Sequence, residues 1–145
     1  MKYVLSVLCL FMLFACNEIN TSMESLNDFD GDWRLNDADG YFGGKLKIYN
    51  CTVDVCDFEL QSWYDQHICD VDGQIELKSP TTGVYNSKQY RYDNDKDLDY
   101  FVPVGIHFEL LPDVGLRLKY TNFDSHAAFC GMSATVEGLW DRRKN

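Results

Sequence analysis

From Asp30 onward, apolar and polar residues alternate with a period of two, and this pattern restricts the chain to half-buried β-strands. Leu46 and Ile48 alternate with Lys45, Lys47 and Tyr49, and Phe58 and Leu60 alternate with Asp57, Glu59 and Gln61. The same rhythm returns at Ile75 and Leu77, at Ile106, Phe108 and Leu110, at Leu116, Leu118 and Tyr120, and at Ala134, Val136 and Gly138. Turn-forming residues stand between these runs: Ala38-Asp39-Gly40, Asp72-Gly73, Ser79-Pro80, Pro112-Asp113 and Asn122-Phe123-Asp124. No long helical period, internal repeat or low-complexity segment interrupts them. Short strands at this spacing predict an all-β fold, a small antiparallel meander of about seven or eight strands closed as a barrel or sandwich.

The segment ahead of the strands has a different character. Residues 1–15, MKYVLSVLCLFMLFA, carry one cation at Lys2 and then an apolar run broken only by Ser6, the order of a secretory signal peptide. A membrane-spanning helix needs about 20 apolar residues, and this run stops at Cys16, where Asn17, Glu18 and Asn20 follow. Leu13, Phe14, Ala15 and Cys16 resemble the bacterial lipobox, whose cysteine is thioether-linked to diacylglycerol and becomes the first mature residue. The resemblance implies a lipid-anchored protein of the cell envelope. Asn17 after the cysteine resembles the sorting pattern of outer-membrane lipoproteins that face the periplasm. Residues 16–29 are polar, apart from a short helical stretch around residues 23–26, and read as a tether. Residues 30–145 then form a single domain, large enough to bury a core of its own.

Of the 13 Lys and Arg, Lys2 leaves with the signal, so 12 stand against 23 Asp and Glu and the formal charge becomes −11. Such a surface argues against nucleic acid, whose phosphates need clustered cations. It favours solubility or a basic protein partner.

Cys9 departs with the signal and Cys16 takes lipid, which leaves Cys51, Cys56, Cys69 and Cys130. An even number in an exported chain implies two disulfides. A single extended strand would hold Cys51 and Cys56 roughly 16 Å apart, far beyond disulfide reach. A hairpin loop over residues 52–55 instead sets them opposite each other at about 5 Å. Cys69 and Cys130 then pair. A zinc site would need four converging thiolates without a CxxC pair, so no metal is expected.

Other chemistry is sparse. His67, His107 and His126 share no ligand spacing, and contiguous Asp124-Ser125-His126 cannot make the relay of a hydrolase triad, which depends on convergence in space. Asp93, Asp95 and Asp97 match the first ligands of a calcium loop, but Leu98 and Val104 occupy the positions that require Gly and Glu. The run DNDKDLD over residues 93–99 therefore reads as an exposed loop. Tyr85, Tyr90, Tyr92 and Tyr100 cluster around it and suit a protein or glycan contact. No nucleophile, base and orienter can be named together, so neither an enzyme nor a cofactor is expected.

Two resemblances complete the reading. Gly31-Asp32-Trp33 at the opening of the domain and Trp140-Asp141-Arg142-Arg143 at its close resemble the lipocalin arrangement, in which a late arginine packs over the tryptophan of the first strand. More of the chain resembles small cysteine-stapled periplasmic proteins grouped with bacterial lysozyme inhibitors. That resemblance rests on Cys51-x4-Cys56-x-Phe58, His67-x-Cys69 and the closing segment from Cys130 to Arg142. It implies a non-enzymatic inhibitor of a basic cell-wall hydrolase. The inhibitory loop, a Ser/Gly-rich turn ending in Tyr, has its echo at residues 79–85. Ser79, Thr82 and Tyr85 from that turn, with Tyr90, Tyr92, Asp95, Asp97 and Asp99, are the contact candidates. An immunity lipoprotein against a secreted toxin and a structural or assembly component of the outer membrane are the alternatives.

Overall fold

In a computed structural model that describes residues 27–36, 41–130 and 134–143, the alternating runs become eight antiparallel strands. They are β1 (Gly31–Asn36), β2 (Phe42–Tyr49), β3 (Val55–Tyr64), β4 (His67–Ser79), β5 (Thr82–Asp93), β6 (Leu98–Leu111), β7 (Gly115–Tyr120) and β8 (Gly138–Arg142). Each pairs with its neighbour in sequence, and β8 returns to pair with β1, so the sheet closes as a barrel rather than splitting into a sandwich. Closure pairs each strand with a neighbour on both sides over part of its length, although β4 from His67 to Ile75 pairs with β3 alone.

The period-two pattern explains the interior. Trp33, Leu46, Ile48, Phe58, Leu60, Ile75, Ile106, Phe108, Leu116, Leu118 and Trp140 point inward and are buried, while the residues between them face out. Each such side chain contributes about 1.5 to 3 kcal/mol on burial. The two large indoles are satisfied where they lie: Trp33 Nε1 donates to the Phe29 carbonyl at 3.0 Å and Trp140 Nε1 to the Val136 carbonyl at 3.1 Å. Side chains thus fill the barrel from wall to wall.

Several expectations need correction. The folded domain begins ahead of position 30, because Phe29 is fully buried in the core and residues 28 and 29 form a turn into β1. Asp72-Gly73 is not a turn but lies within β4, and the β3–β4 turn falls at Asp65 and Gln66. Asn122-Phe123-Asp124 opens a short helix, α1 (Phe123–Phe129), with Asn122 as its cap accepting from Ser125 N. Ala134 and Val136 are fully buried but precede the last strand, which starts at Gly138. The signal, Cys16, the helical stretch at 23–26 and the turn at 38–40 lie outside the described residues.

Both cysteine pairs form: Cys51 with Cys56 and Cys69 with Cys130. The hairpin register is one residue off the expected one. Tyr49 pairs with Asp57, which carries Cys56 toward Asn50 rather than Cys51. Asn50 adopts a left-handed backbone, φ 51°, and beyond it the Cys51 and Cys56 Cα atoms stand 4.1 Å apart.

Candidate functional site

One element leaves the barrel. β5 pairs with β4 only through Thr82, Gly83 and Val84, and β6 pairs with β7 only from Ile106 onward. Between these limits, the eight pairs from Asn86↔Gly105 to Asp93↔Leu98 have no third strand. They form an arm about 23 Å long. An isolated two-stranded hairpin is marginally stable, and α1 braces this one at its base. Gly105 N donates to the buried Ser125 Oγ at 2.9 Å, Asn122 Nδ2 donates to the Pro103 carbonyl at 2.9 Å, and Arg91 faces Asp124 at 3.7 Å. Pro103, which has no N–H to offer a ladder, sits on this uncovered strand, as prolines in sheets do.

Cross-strand pairing sorts the arm's side chains. Lys88↔Pro103, Tyr90↔Phe101 and Tyr92↔Asp99 share one face, and Gln89↔Val102, Arg91↔Tyr100 and Asp93↔Leu98 the other. Tyr90 is 54% exposed, Phe101 66% and Leu98 52%, with Tyr92 and Tyr100 also open to solvent. The Tyr90 and Phe101 rings meet edge to face at 5.9 Å. The Tyr90 hydroxyl donates to Asp99 and the Tyr92 hydroxyl to Asp97. Those bonds to carboxylates hold both phenols above their usual pKa. At the tip, Lys96 Nζ donates to Asp93 at 2.8 Å and holds that carboxyl below its usual value.

The contact candidates fall into three places. Tyr90, Tyr92, Asp95, Asp97 and Asp99 converge at the outer part of the arm. Residues 93–99 are not one loop, since Asp93 and Leu98–Asp99 belong to the strands and only residues 94–97 turn. Ser79 and Thr82 flank the β4–β5 turn, where their hydroxyls lie 2.8 Å apart. That turn is at the other end of β5, eleven residues or about 36 Å from Asp93. Tyr85 belongs to neither group and is corrected from turn residue to strand residue. It packs against the core, with its ring 5.1 Å from Phe58 and 5.8 Å from Phe129.

The Asp124-Ser125-His126 run is structural. Asp124 faces Arg91, Ser125 latches the arm, and His126 stacks edge to face on Tyr120 at 5.4 Å. The arginine over the first tryptophan is present: the Arg142 guanidinium lies 4.9 Å from the Trp33 ring and donates to the carbonyls of Asp28 and Asp30. It closes the end of the barrel at which the described chain begins.

A second feature escaped sequence reasoning. The outer face of β1 to β4 is concave, a saddle of about 780 Å³. Register stacks its polar side chains in rows: Arg34, Lys45, Gln61 and Asp70 in one, Asp32, Lys47, Glu59 and Asp72 in the next, then Tyr49, Asp57 and Gln74. Three cations and Asp32 therefore stand on β1 and β2, opposite four carboxylates on β3 and β4. The Tyr49 hydroxyl donates to Glu59 at 2.9 Å, which holds the phenol above its usual pKa. Asn50 and Gln74 donate to Asp57 and hold its carboxyl below the usual range. Only known strand registers assemble these rows, which is why the alternating pattern alone did not reveal them.

Comparison of the chain with protein-family models, with curated proteins and with solved structures finds no match.

Proposed function

We propose that the protein is an exported lipoprotein of the cell envelope, held through acylated Cys16 in the outer membrane facing the periplasm. In this reading it binds a basic protein partner without doing chemistry, and the partner is a cell-wall hydrolase of the lysozyme type that it inhibits. The observation that carries the reading is the arm. It presents Tyr90, Tyr92, Leu98, Tyr100 and Phe101 to solvent, outside any core, beside Asp95, Asp97 and Asp99. Aromatic side chains of this kind supply contact area at low entropic cost, and the carboxylates steer a cation toward them. The geometry supports the placement, because the described chain enters the barrel at the end opposite the arm. A tether running back to a membrane from Asn27 leaves the arm pointing away from it.

The test uses the full-length protein in detergent. It should slow a basic lysozyme at near-stoichiometric ratio, and less so as salt rises. Replacing Tyr90 and Phe101 by Ala should speed dissociation, and changing Asp95, Asp97 and Asp99 to Asn should slow association. Inhibition lost instead on changing Ser79 and Thr82 would move the contact to the β4–β5 turn. If no lysozyme type is inhibited, the inhibitor reading fails. Recovery of a secreted toxin on the arm would then support the immunity alternative, and recovery of envelope assembly proteins the structural one.

A further inference from the structure

The saddle on β1 to β4 carries a charge arrangement that folding alone disfavours. Arg34 stands directly across from Lys45, and Glu59 directly across from Asp72. Like charges in directly opposed positions destabilise a sheet. Opposite charges lie one strand away, yet the ion pairs among the described residues all lie elsewhere, at Lys78–Glu76, Arg91–Asp124, Lys96–Asp93 and Arg117–Glu109. Lys47 stands between Asp32 and Glu59 in register but sets its ammonium 5.2 Å from the centre of the Tyr49 ring. Asp70 and Asp72 accept no side-chain hydrogen bond among the described residues. A concave face thus keeps a predominantly cationic wall, in which Asp32 is the one carboxylate, apart from an anionic wall, at a cost in stability that a functional site can justify.

We infer that this saddle binds a short zwitterionic peptide in extended form, its carboxylate on Arg34, Lys45 and Lys47 and its ammonium on Glu59, Asp70 and Asp72. The two walls are centred between β1 and β2 and between β3 and β4, two strand spacings or about 10 Å apart. That separation matches the charged ends of an extended peptide of about three residues. A polyanion would meet five carboxylates, and a metal cation would meet three fixed positive charges, so neither complements the face. The peptide relieves both like-charge pairs at once.

Titration of the full-length protein in detergent with trialanine, followed by calorimetry and amide NMR, tests the inference. Saturable binding should shift the amides of residues 45, 47, 59 and 72, and N-acetylation or C-amidation of the peptide should each weaken it at least tenfold. Lys45→Gln and Asp72→Asn, neither of which breaks a hydrogen bond of the fold, should each weaken binding at least fivefold while raising the melting temperature. Absence of saturable binding at millimolar peptide, equal binding of the capped peptides, or unchanged affinity in both variants would overturn it.

Discussion

Gly73, in the middle of β4, lies directly beneath the ring of Tyr85 on β5: a Cβ at position 73 would come within 2.6 Å of Tyr85 Cε2. The φ of Gly73, +155°, is also one that L side chains rarely adopt. Gly73→Ala should therefore destabilise the barrel by about 1 to 3 kcal/mol, through a displaced ring and a strained backbone. Thermal unfolding measures the loss. Combining it with Tyr85→Leu should cost less than the sum of the two changes, because the smaller side chain removes the clash. Strictly additive losses would show that the ring is not what excludes a Cβ.

The same pair explains what could be read ahead of the structure. Inward residues such as Leu46, Phe58 and Ile106 announce their strands because burial on one face imposes a period of two. Asp72-Gly73 reads as a turn because Gly and Asp favour turns locally, but here the glycine answers a tertiary demand from a residue twelve positions away. α1 is too short to show a helical period, and its signal is confined to the Asn122 cap and its bond to Ser125. Tyr90, Tyr92 and the aspartates could be grouped from proximity in sequence, since one hairpin carries them. The saddle could not, because Arg34 and Lys45, or Glu59 and Asp72, become neighbours only through registers that no local pattern specifies.

The latch between arm and helix makes a second prediction. Ser125 Oγ accepts from Gly105 N at 2.9 Å, donates to Asn122 Oδ1 at 2.9 Å and lies 3.1 Å from Thr121 Oγ1, all in a fully buried position. Ser125→Ala leaves the Gly105 N–H without its acceptor, a cost of about 1 to 3 kcal/mol. Amide exchange should quicken across residues 86–105 and stay slow at 46, 58 and 60 in the barrel wall. Uniform quickening would mean that the helix holds the barrel rather than the arm.

The two disulfides should differ in weight. Cys69–Cys130 spans a sequence separation of 61 and ties β4 to the segment after α1, while Cys51–Cys56 spans only 5. In the chain-entropy model the longer loop contributes about 4 kcal/mol and the shorter about 2. Replacing Cys69 and Cys130 together by Ala should lower the denaturation midpoint more than replacing Cys51 and Cys56. Non-reducing peptide mapping of the unaltered protein should return these two pairs, and a Cys51–Cys69 linkage would contradict the hairpin.

Alkaline pH should loosen the seam around Tyr120. Its phenol accepts from Val136 N at 3.0 Å and from Thr135 Oγ1 at 3.4 Å, and it lies 2.9 Å from Cys130 Sγ, so it pins the segment that leads into β8. Burial raises its pKa above the usual 10.0, outweighing the hydrogen bonds from Thr135 and Val136 that favour the phenolate. In the range between the unfolded and folded values, the folded state holds a proton that the unfolded chain has lost. The stability linked to this group is therefore complete below about pH 10 and falls as pH rises through the folded value. Melting temperatures measured from pH 8 to 11.5 should decline more steeply for the unaltered protein than for Tyr120→Phe, which starts lower for want of the hydroxyl but has nothing there to ionise. The exposed phenols Tyr49, Tyr90 and Tyr92 remain in both proteins, so the difference between the two curves isolates Tyr120. Parallel curves would mean that Tyr120 ionises without disturbing the seam.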